Sequence, residues 1–514
     1  MPPAVNCRRA GWAPHVARRR LGVLLLACTA VIGSGASAQG TGSTGVTVVP
    51  LFSISQSLTD NYKLSSTDRK ADLITQISPG IQLTSRSGAL QGNLTYSANG
   101  TVYARDSAAS SVQNQLSAAG SAELIERRFI LSGQATIGQQ AVSAFDVQSP
   151  TPALNSGNRS EVTSYSLTPL LKGRLLGEVD YQARVTYSAT SSSGSTLGDS
   201  SGLNGAIDLA GTMGRLGWGV DASRMSSRFE DGRKTFTGRA GASLNFAPDP
   251  ELRLSLRLAR ESSDVSTTGT SSTVSWGGGV NWLPTPRTTF SFDADRRYFG
   301  DSHSITAQHR FARSIWTYTD SRSVTSGGVS GGGRFSLYDI YFAQFASEVP
   351  DPVKRDAFVR QYLNFYNLDP NTVVSGGFLS GGSSVQRRQN LAVSFQGQRS
   401  TLTLTGFTST STSLGAAAAG SDLARAGEVQ QLGYNVSVSY RLTPTDALTV
   451  LLADQRTLDA GSVAGNGLRT FTASWKGVLG RLSQVSLGLR YAVFDADLNP
   501  YHETALFGSL SLRF

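Results

Sequence analysis

Polar and apolar residues alternate one by one along most of this chain. Leu90, Gly92, Leu94, Tyr96 and Ala98 interleave with Gln91, Asn93, Thr95, Ser97 and Asn99, and Val179, Tyr181, Ala183, Val185 and Tyr187 interleave with Asp180, Gln182, Arg184 and Thr186. The same period recurs in Leu216, Trp218, Val220 and Ala222, in Phe236, Gly238, Ala240, Ala242, Leu244 and Phe246, and in Leu252, Leu254, Leu256 and Leu258 against Arg253, Ser255 and Arg257. Successive side chains of a strand point to opposite faces, so a period of two predicts strands with one apolar and one polar face. The chain ends on the same pattern: Leu506, Gly508, Leu510 and Leu512 alternate with Phe507, Ser509, Ser511 and Arg513 before the terminal Phe514.

The connections add a second regularity. Short ones at Ser87-Gly88, Glu126-Arg127, Gly214-Arg215, Ala247 to Pro250, Pro284 to Pro286, Thr443 to Thr445 and Gly480-Arg481 alternate with longer polar stretches near 140–160, 190–203, 262–272, 411–429 and 457–467. Tight turns at one end and long loops at the other are the mark of outer-membrane barrels. A strand wherever about ten residues alternate predicts about 22 strands, within a range of roughly 18–22, starting near Val46 and ending at Phe514. The predicted fold is all-β: a transmembrane antiparallel up-and-down β-barrel whose first and last strands close the seam. Trp218, Trp276, Trp282, Trp316, Trp475 and Tyr491 fall near strand ends, where amphipathic rings suit the headgroup boundary. A terminal Phe514 after such a strand resembles the sorting signal read by barrel-insertion machinery. Pro79-Gly80 inside an alternating run predicts a bulge or bend.

One segment breaks the rhythm. Residues 326–388 read as a long outer-loop insert, opening on the glycine run Ser326 to Gly333 and continuing into Leu337 to Ala346. Asp351 predicts an N-cap and Pro352 a first helical position, followed by Val353, Ala357, Phe358, Tyr362, Leu363 and Tyr366 at helical spacing. An insert this apolar is expected to fold into the barrel mouth or onto a partner.

The amino-terminal segment supports export. Arg8, Arg9, Arg18, Arg19 and Arg20 precede the apolar run Leu21 to Gly33, and Ala36-Ser37-Ala38 supplies small residues before Gln39. Residues 1–38 read as a secretory signal peptide, with 39–514 as the barrel. The rival reading, lipoprotein processing at Cys28, requires a shorter apolar run than the one present. Both cysteines, Cys7 and Cys28, fall in this segment, so the mature chain is expected to hold no thiol or disulfide.

Composition agrees with a strand-built membrane protein. Only 16% of residues are charged, and no apolar run after the signal reaches the length of a membrane helix. The net charge of +10 is partly a targeting artefact, since removing residues 1–38 leaves 41 basic against 36 acidic residues. No cluster of Lys and Arg interleaved with aromatics appears, which argues against nucleic acid as a partner. The expected partners are outer-membrane lipid and the insertion machinery.

Catalytic chemistry is thin. Gly328-Val329-Ser330-Gly331-Gly332 fits G-x-S-x-G, but a nucleophile elbow needs a strand before it and a helix after it, and this one sits in a glycine run. His303 and His309 share a strand face with Ile305 and Ala307, too far apart to bind one metal, and His502 is expected in the last loop. The chain therefore reads as a non-enzyme without catalytic, metal or cofactor residues. The lumen-lining candidates are the polar-face charges Glu178, Asp180, Arg184, Asp221, Arg239, Arg253, Arg257, Asp293 and Asp295.

Several motifs, in order, resemble the PEP-CTERM system-associated outer-membrane proteins: Asp60 to Leu64, Ile77 to Ile81, Trp276 to Arg287, Arg297 to Gly300, Val349 to Pro352 and Tyr501 to Phe514. The resemblance implies the outer membrane of Gram-negative bacteria that couple exopolysaccharide synthesis to an exosortase. That family is poorly characterised and supplies no functional residues. Three functions are open: a pore or export channel for a polysaccharide, working with periplasmic export components; a non-transporting scaffold for a secretion or polysaccharide-assembly system; and an outer-membrane enzyme on lipid or glycan. No segment long enough for a globular plug precedes Val46, so occlusion is expected from loops.

Overall fold

The computed structural model describes residues 45–514 apart from 155–156, 196, 267–268, 331–334 and several positions within 337–376. The expected signal peptide, 1–38, and the N-cap at Asp351 lie outside these residues. The strands are β1 (Val46–Thr59), β2 (Asp72–Arg86), β3 (Leu90–Tyr103), β4 (Ser111–Ile125), β5 (Phe129–Ala141), β6 (Arg159–Leu175), β7 (Val179–Ser193), β8 (Ser200–Met213), β9 (Leu216–Phe229), β10 (Lys234–Asp249), β11 (Leu252–Ser263) and β12 (Ser271–Thr285). They continue as β13 (Thr288–Arg297), β14 (Gly300–Arg310), β15 (Ser314–Ser330), the short pair β16 (Phe335–Ser336) and β17 (Val373–Ser375), β18 (Phe378–Gln396), β19 (Ser400–Ser413), β20 (Glu428–Arg441), β21 (Asp446–Thr457), β22 (Asn466–Val478), β23 (Ser483–Ala496) and β24 (Tyr501–Arg513). All but β16 and β17 belong to one 22-stranded sheet.

Sequential barrel strands pair antiparallel, and β1 closes on β24 from Leu51↔Arg513 to Thr59↔Ala505. The Phe514 amide donates to the Pro50 carbonyl at 3.1 Å, one residue past that ladder. Closure removes the unpaired edge that a spanning sheet cannot leave in lipid.

The alternation resolves into outside and inside. Ile54↔Leu510, Trp282↔Phe290 and Leu448↔Trp475 are cross-strand pairs on the outer face, where Leu256, Leu258, Trp276, Trp282, Trp316, Leu487 and Tyr491 are exposed. Side chains this apolar, exposed right round a closed sheet, match a hydrocarbon solvent and not water. The fold is a transmembrane β-barrel of the outer-membrane type.

Pro79 and Gly80 behave partly as expected. The β1–β2 ladder runs through them without a break, while β2–β3 pairing skips from Ile77↔Gly100 to Gly80↔Ser97. Proline has no N–H to give the β3 side, and a Cβ at Gly80 would meet the Tyr96 carbonyl at 2.6 Å.

The insert is shorter than 326–388. β15 runs to Ser330 and β18 starts at Phe378, paired through Ser326↔Ser383, Gly327↔Gly382 and Ser330↔Phe378. Glycine accepts extended backbone once a partner strand supplies the ladder, so the glycine run hides a strand end. The interruption is therefore 331–377, and α1 (Pro352–Phe365) opens on the expected proline.

Candidate functional site: the lumen and what fills it

The inner face is polar; its longest run of ion pairs lies along β7–β13, and a separate buried pair joins Arg490 of β23 to Glu503 of β24 at 2.8 Å. Arg184 on β7 lies 3.7 Å from Asp208 on β8. Arg239 on β10 bridges Asp221 on β9 at 3.1 Å and Glu261 on β11 at 3.3 Å, and Glu261 also accepts from Arg297 on β13 at 2.8 Å. Arg257 reaches Asp293 at 2.7 Å and Asp295 at 2.9 Å. Five of the predicted residues thus enter two neighbouring clusters of one ladder, Asp221 and Arg239 around Glu261, and Asp293 and Asp295 around Arg257.

That last contact crosses an entire strand. Arg257 is on β11 and both aspartates are on β13, with β12 between them. Gly277 and Gly279 lie on the inner face of β12, where any Cβ would strike the Asp295 and Asp293 carboxylates, and the Arg257 Nη2 also donates to the Gly278 carbonyl at 3.1 Å. The run Trp276-Gly-Gly-Gly-Val-Asn-Trp282 is thereby an architectural device: small inside for the guanidinium, aromatic outside for the interface. Gly279→Val is expected to displace Asp293 and lower stability by about 1–3 kcal/mol through overpacking, read as a lower urea midpoint in detergent micelles.

Other candidates stand elsewhere. Glu178 is exposed in the turn between β6 and β7 and does not line the lumen; the strand ends at Leu175 and the chain reverses through Gly177, whose φ is +79°. Asp180 pairs with Arg174 at 2.8 Å near the same turn, and both are well exposed. Arg253 keeps to the inner row but is exposed, with no ion-pair partner among the described residues. His502 belongs to β24 and not to the last loop, its peptide paired with Val493. Reading the alternation of β11 two inward positions past Arg257 would have reached Glu261, which is fully buried between Arg239 and Arg297.

The opposite sector, β1–β4, presents Ser53, Ser55, Gln76, Ser78, Thr95, Ser97, Asn99, Gln115 and Ser117 to a cavity of about 810 Å³. All are neutral hydrogen-bonding groups. The far side of that cavity carries Tyr338 and Arg360 from the insert, and it extends to the turn at Gly480 and Arg481.

An insert that leaves the loop end of the barrel therefore reaches the turn end. Tyr341, Phe345, Val359 and Leu363 form its buried core among the described residues, with Phe342 and Phe358 packed around them and Ile315 and Ala392 joining from the wall. Ile315 is the second residue of β15 after its turn. The Tyr341 hydroxyl meets Thr403 Oγ1 of β19 at 2.5 Å. The wall beneath is a row of Thr401, Thr403, Thr405, Ser409 and Ser411, all buried, and Ser394, Thr401, Thr405 and Ser411 have hydroxyls without a hydrogen-bond partner among the described residues. Among its described residues the insert packs chiefly on itself, around Tyr341, Phe345, Val359 and Leu363, and meets the wall at Ile315, Ala392 and Thr403.

Nearer the loops, residues 142–158 cross the mouth. Tyr103 donates to the Ala153 carbonyl at 2.6 Å and Tyr501 to that of Gln148 at 2.5 Å, while Thr457 and Asn466 each donate to the Ala144 carbonyl at 3.0 Å. Helix α2 (Asp422–Ala426) holds the crossing from another side, where Asp422 accepts from Ser143 Oγ at 2.9 Å and the Ala144 amide at 2.6 Å. Leu154 packs with Tyr62, Leu64, Ile74, Tyr103, Phe494 and Tyr501. In the β1–β2 loop, the hydrogen bond from Lys63 holds the Asp68 carboxyl below its ordinary range. Among the described residues no group of three or more His, Cys, Asp or Glu is placed to hold a metal ion.

The architecture defines a class: a closed 22-stranded membrane barrel whose lumen is filled by its own loops. No family model and no curated protein matches the chain. Among solved structures, it is similar to the FrpB iron transporter from Neisseria meningitidis (F5-1 variant), at 12% identity and a TM-score of 0.46, over 91% of this chain and 82% of that one. A ferric enterobactin receptor, PfeA (G324V mutant) from Pseudomonas aeruginosa, aligns at 10% identity and a TM-score of 0.46, over 92% and 81%. The siderophore receptor PirA from Acinetobacter baumannii aligns at 8% and 0.46, also over 92% and 81%. These are similarities of barrel architecture and say nothing of cargo.

Proposed function

We propose that this protein is an outer-membrane export channel for a neutral polysaccharide, closed at rest by the insert 331–377 and the crossing loop 142–158. The observation that carries the reading is the pairing of a neutral β1–β4 wall with a plug that the chain's own insert builds inside the lumen. A hydrated polymer of hydroxyls is recognised through many modest hydrogen bonds, which β1–β4 offers without a fixed charge to trap it. The ladder of β7–β13 is internally neutralised and adds little net field. In this reading the signal peptide delivers the chain, Phe514 serves insertion, and the turns face the periplasm, where export components would engage the cavity. The PEP-CTERM system remains the proposed setting, with exopolysaccharide as cargo.

The test is a deletion strain with polysaccharide measured separately in periplasm and medium. Polymer should accumulate in the periplasm and fall in the medium. Undiminished secretion would sink the export reading. Secretion lost while the purified barrel, with its insert removed, fails to conduct would favour the scaffold.

A further inference from the structure

The outer face carries a feature that a transport path does not use. On β9, β11 and β13 the outward row runs through apolar residues and then meets an arginine toward the loops: Ala222 then Arg224, Leu258 then Arg260, Ala294 then Arg296. The register links them, since Arg224 is opposite Gly238, Gly238 opposite Ser262, Arg260 opposite Val274, and Trp276 opposite Arg296. The row continues through Arg322 on β15 to Arg387 on β18, which are paired in register.

Counter-charge is confined to one end. Asp320 is buried between Arg387 and His303, accepting from Arg387 Nη2 at 2.9 Å. Arg322 donates to the Asp301 carbonyl and lies over the Phe299 ring at 5.9 Å. Arg224 sits over Phe236 at 4.7 Å; Arg224 and Arg260 are exposed with no ion-pair partner among the described residues, and the exposed Arg296 lies opposite Asp301 in the β13–β14 register. Across β2–β5 the outward rows instead end toward the loops in Leu73, Val102, Val112 and Ala141, with no cation. These cations form a strip across β9–β18; outward Arg456 and Arg469, on β21 and β22, stand apart from it and share Asp454 at 2.9 and 3.2 Å.

We infer that this strip is a binding site for the phosphate groups of anionic lipid headgroups on the loop side of the membrane. Long arginine stems can lie along the apolar belt while the guanidiniums reach headgroup level, and planar guanidiniums match phosphate oxygens with paired hydrogen bonds. Alternate strands are about 10 Å apart, so Arg260 and Arg296 can engage separate phosphates of one bis-phosphorylated lipid. The adjacent Trp276, itself exposed, supplies the interfacial ring beside them.

The experiment compares the full chain with Arg224→Gln/Arg260→Gln/Arg296→Gln in phosphatidylcholine nanodiscs doped with a bis-phosphorylated glucosamine lipid. Lipid retained after detergent extraction is counted by native mass spectrometry. Loss of three cations, each contributing roughly fivefold at a membrane surface, should weaken retention about a hundredfold. The corresponding lysine variant should recover part of it, and bilayer conductance should not change, which separates this result from the channel reading. Equal retention by both proteins overturns the inference. So does displacement of the lipid by equimolar inorganic phosphate, which would indicate a soluble-anion site.

Discussion

Deleting residues 337–367 should convert a nearly silent barrel into a large, open pore in planar bilayers. Barrels of 16–18 strands already leave an aqueous channel, and one of 22 strands encloses a wider lumen unless something fills it. Here the filling is the body built on Tyr341, Phe345, Val359 and Leu363, seated on a wall of threonine and serine. Its removal exposes hydroxyls that water satisfies well, so the barrel should still fold and keep its thermal shift in detergent. Single-channel conductance should rise by about an order of magnitude or more, since the conducting area scales with the cross-section freed. Conductance unchanged from the intact protein would mean that the insert does not obstruct the path.

Asp422→Ala should unlatch the upper crossing. The carboxylate is 2% exposed and accepts from Ser143, the Ala144 amide and Arg425 together. Truncation leaves a buried amide and a hydroxyl without their acceptor, while water takes over the half-exposed Arg425 guanidinium, a local loss of about 1–3 kcal/mol. The barrel ladders are untouched, so the effect belongs to the loops: amides of 142–158 should exchange with deuterium far faster than in the parent. Asp422→Asn keeps an acceptor oxygen and should show a smaller change. In the insert deletion, adding Asp422→Ala should raise conductance further, because the two closures lie at different depths. If exchange across 142–158 is the same in parent and variant, Asp422 is not the latch.

How much of this was legible beforehand depends on how local the cause is. The alternation of Leu252 to Leu258 sets a strand face whatever lies beside it, and turn residues such as Pro250 and Gly214 set its ends. Strand count and closure followed from such local rules, whereas Trp276 and Tyr491, expected near strand ends, stand within β12 and β23. The inner-face charges were legible as a set, but their pairing was not: that Arg257 passes over β12 to reach Asp293 depends on the register of three strands and on two glycines in the middle one. Glu178 misled because the alternation persists through a turn that only a positive φ at Gly177 reveals. The start of the glycine run, 326–330, misled in the other direction, since a loop composition can still pair as strand when its partner is present.

The sequence alone determined that the chain would form a membrane barrel, because one apolar face per strand is meaningful only where two solvents meet across a sheet. It also marked 326–388 as an interruption too apolar for water. Only the tertiary structure decided that this interruption turns inward and descends to the turn end, that 142–158 crosses above it, and that a run of ion pairs forms along β7–β13 while the β1–β4 side chains facing the cavity are neutral. Those outcomes rest on which residues closure brings opposite one another across the lumen. No period along a single strand carries that information.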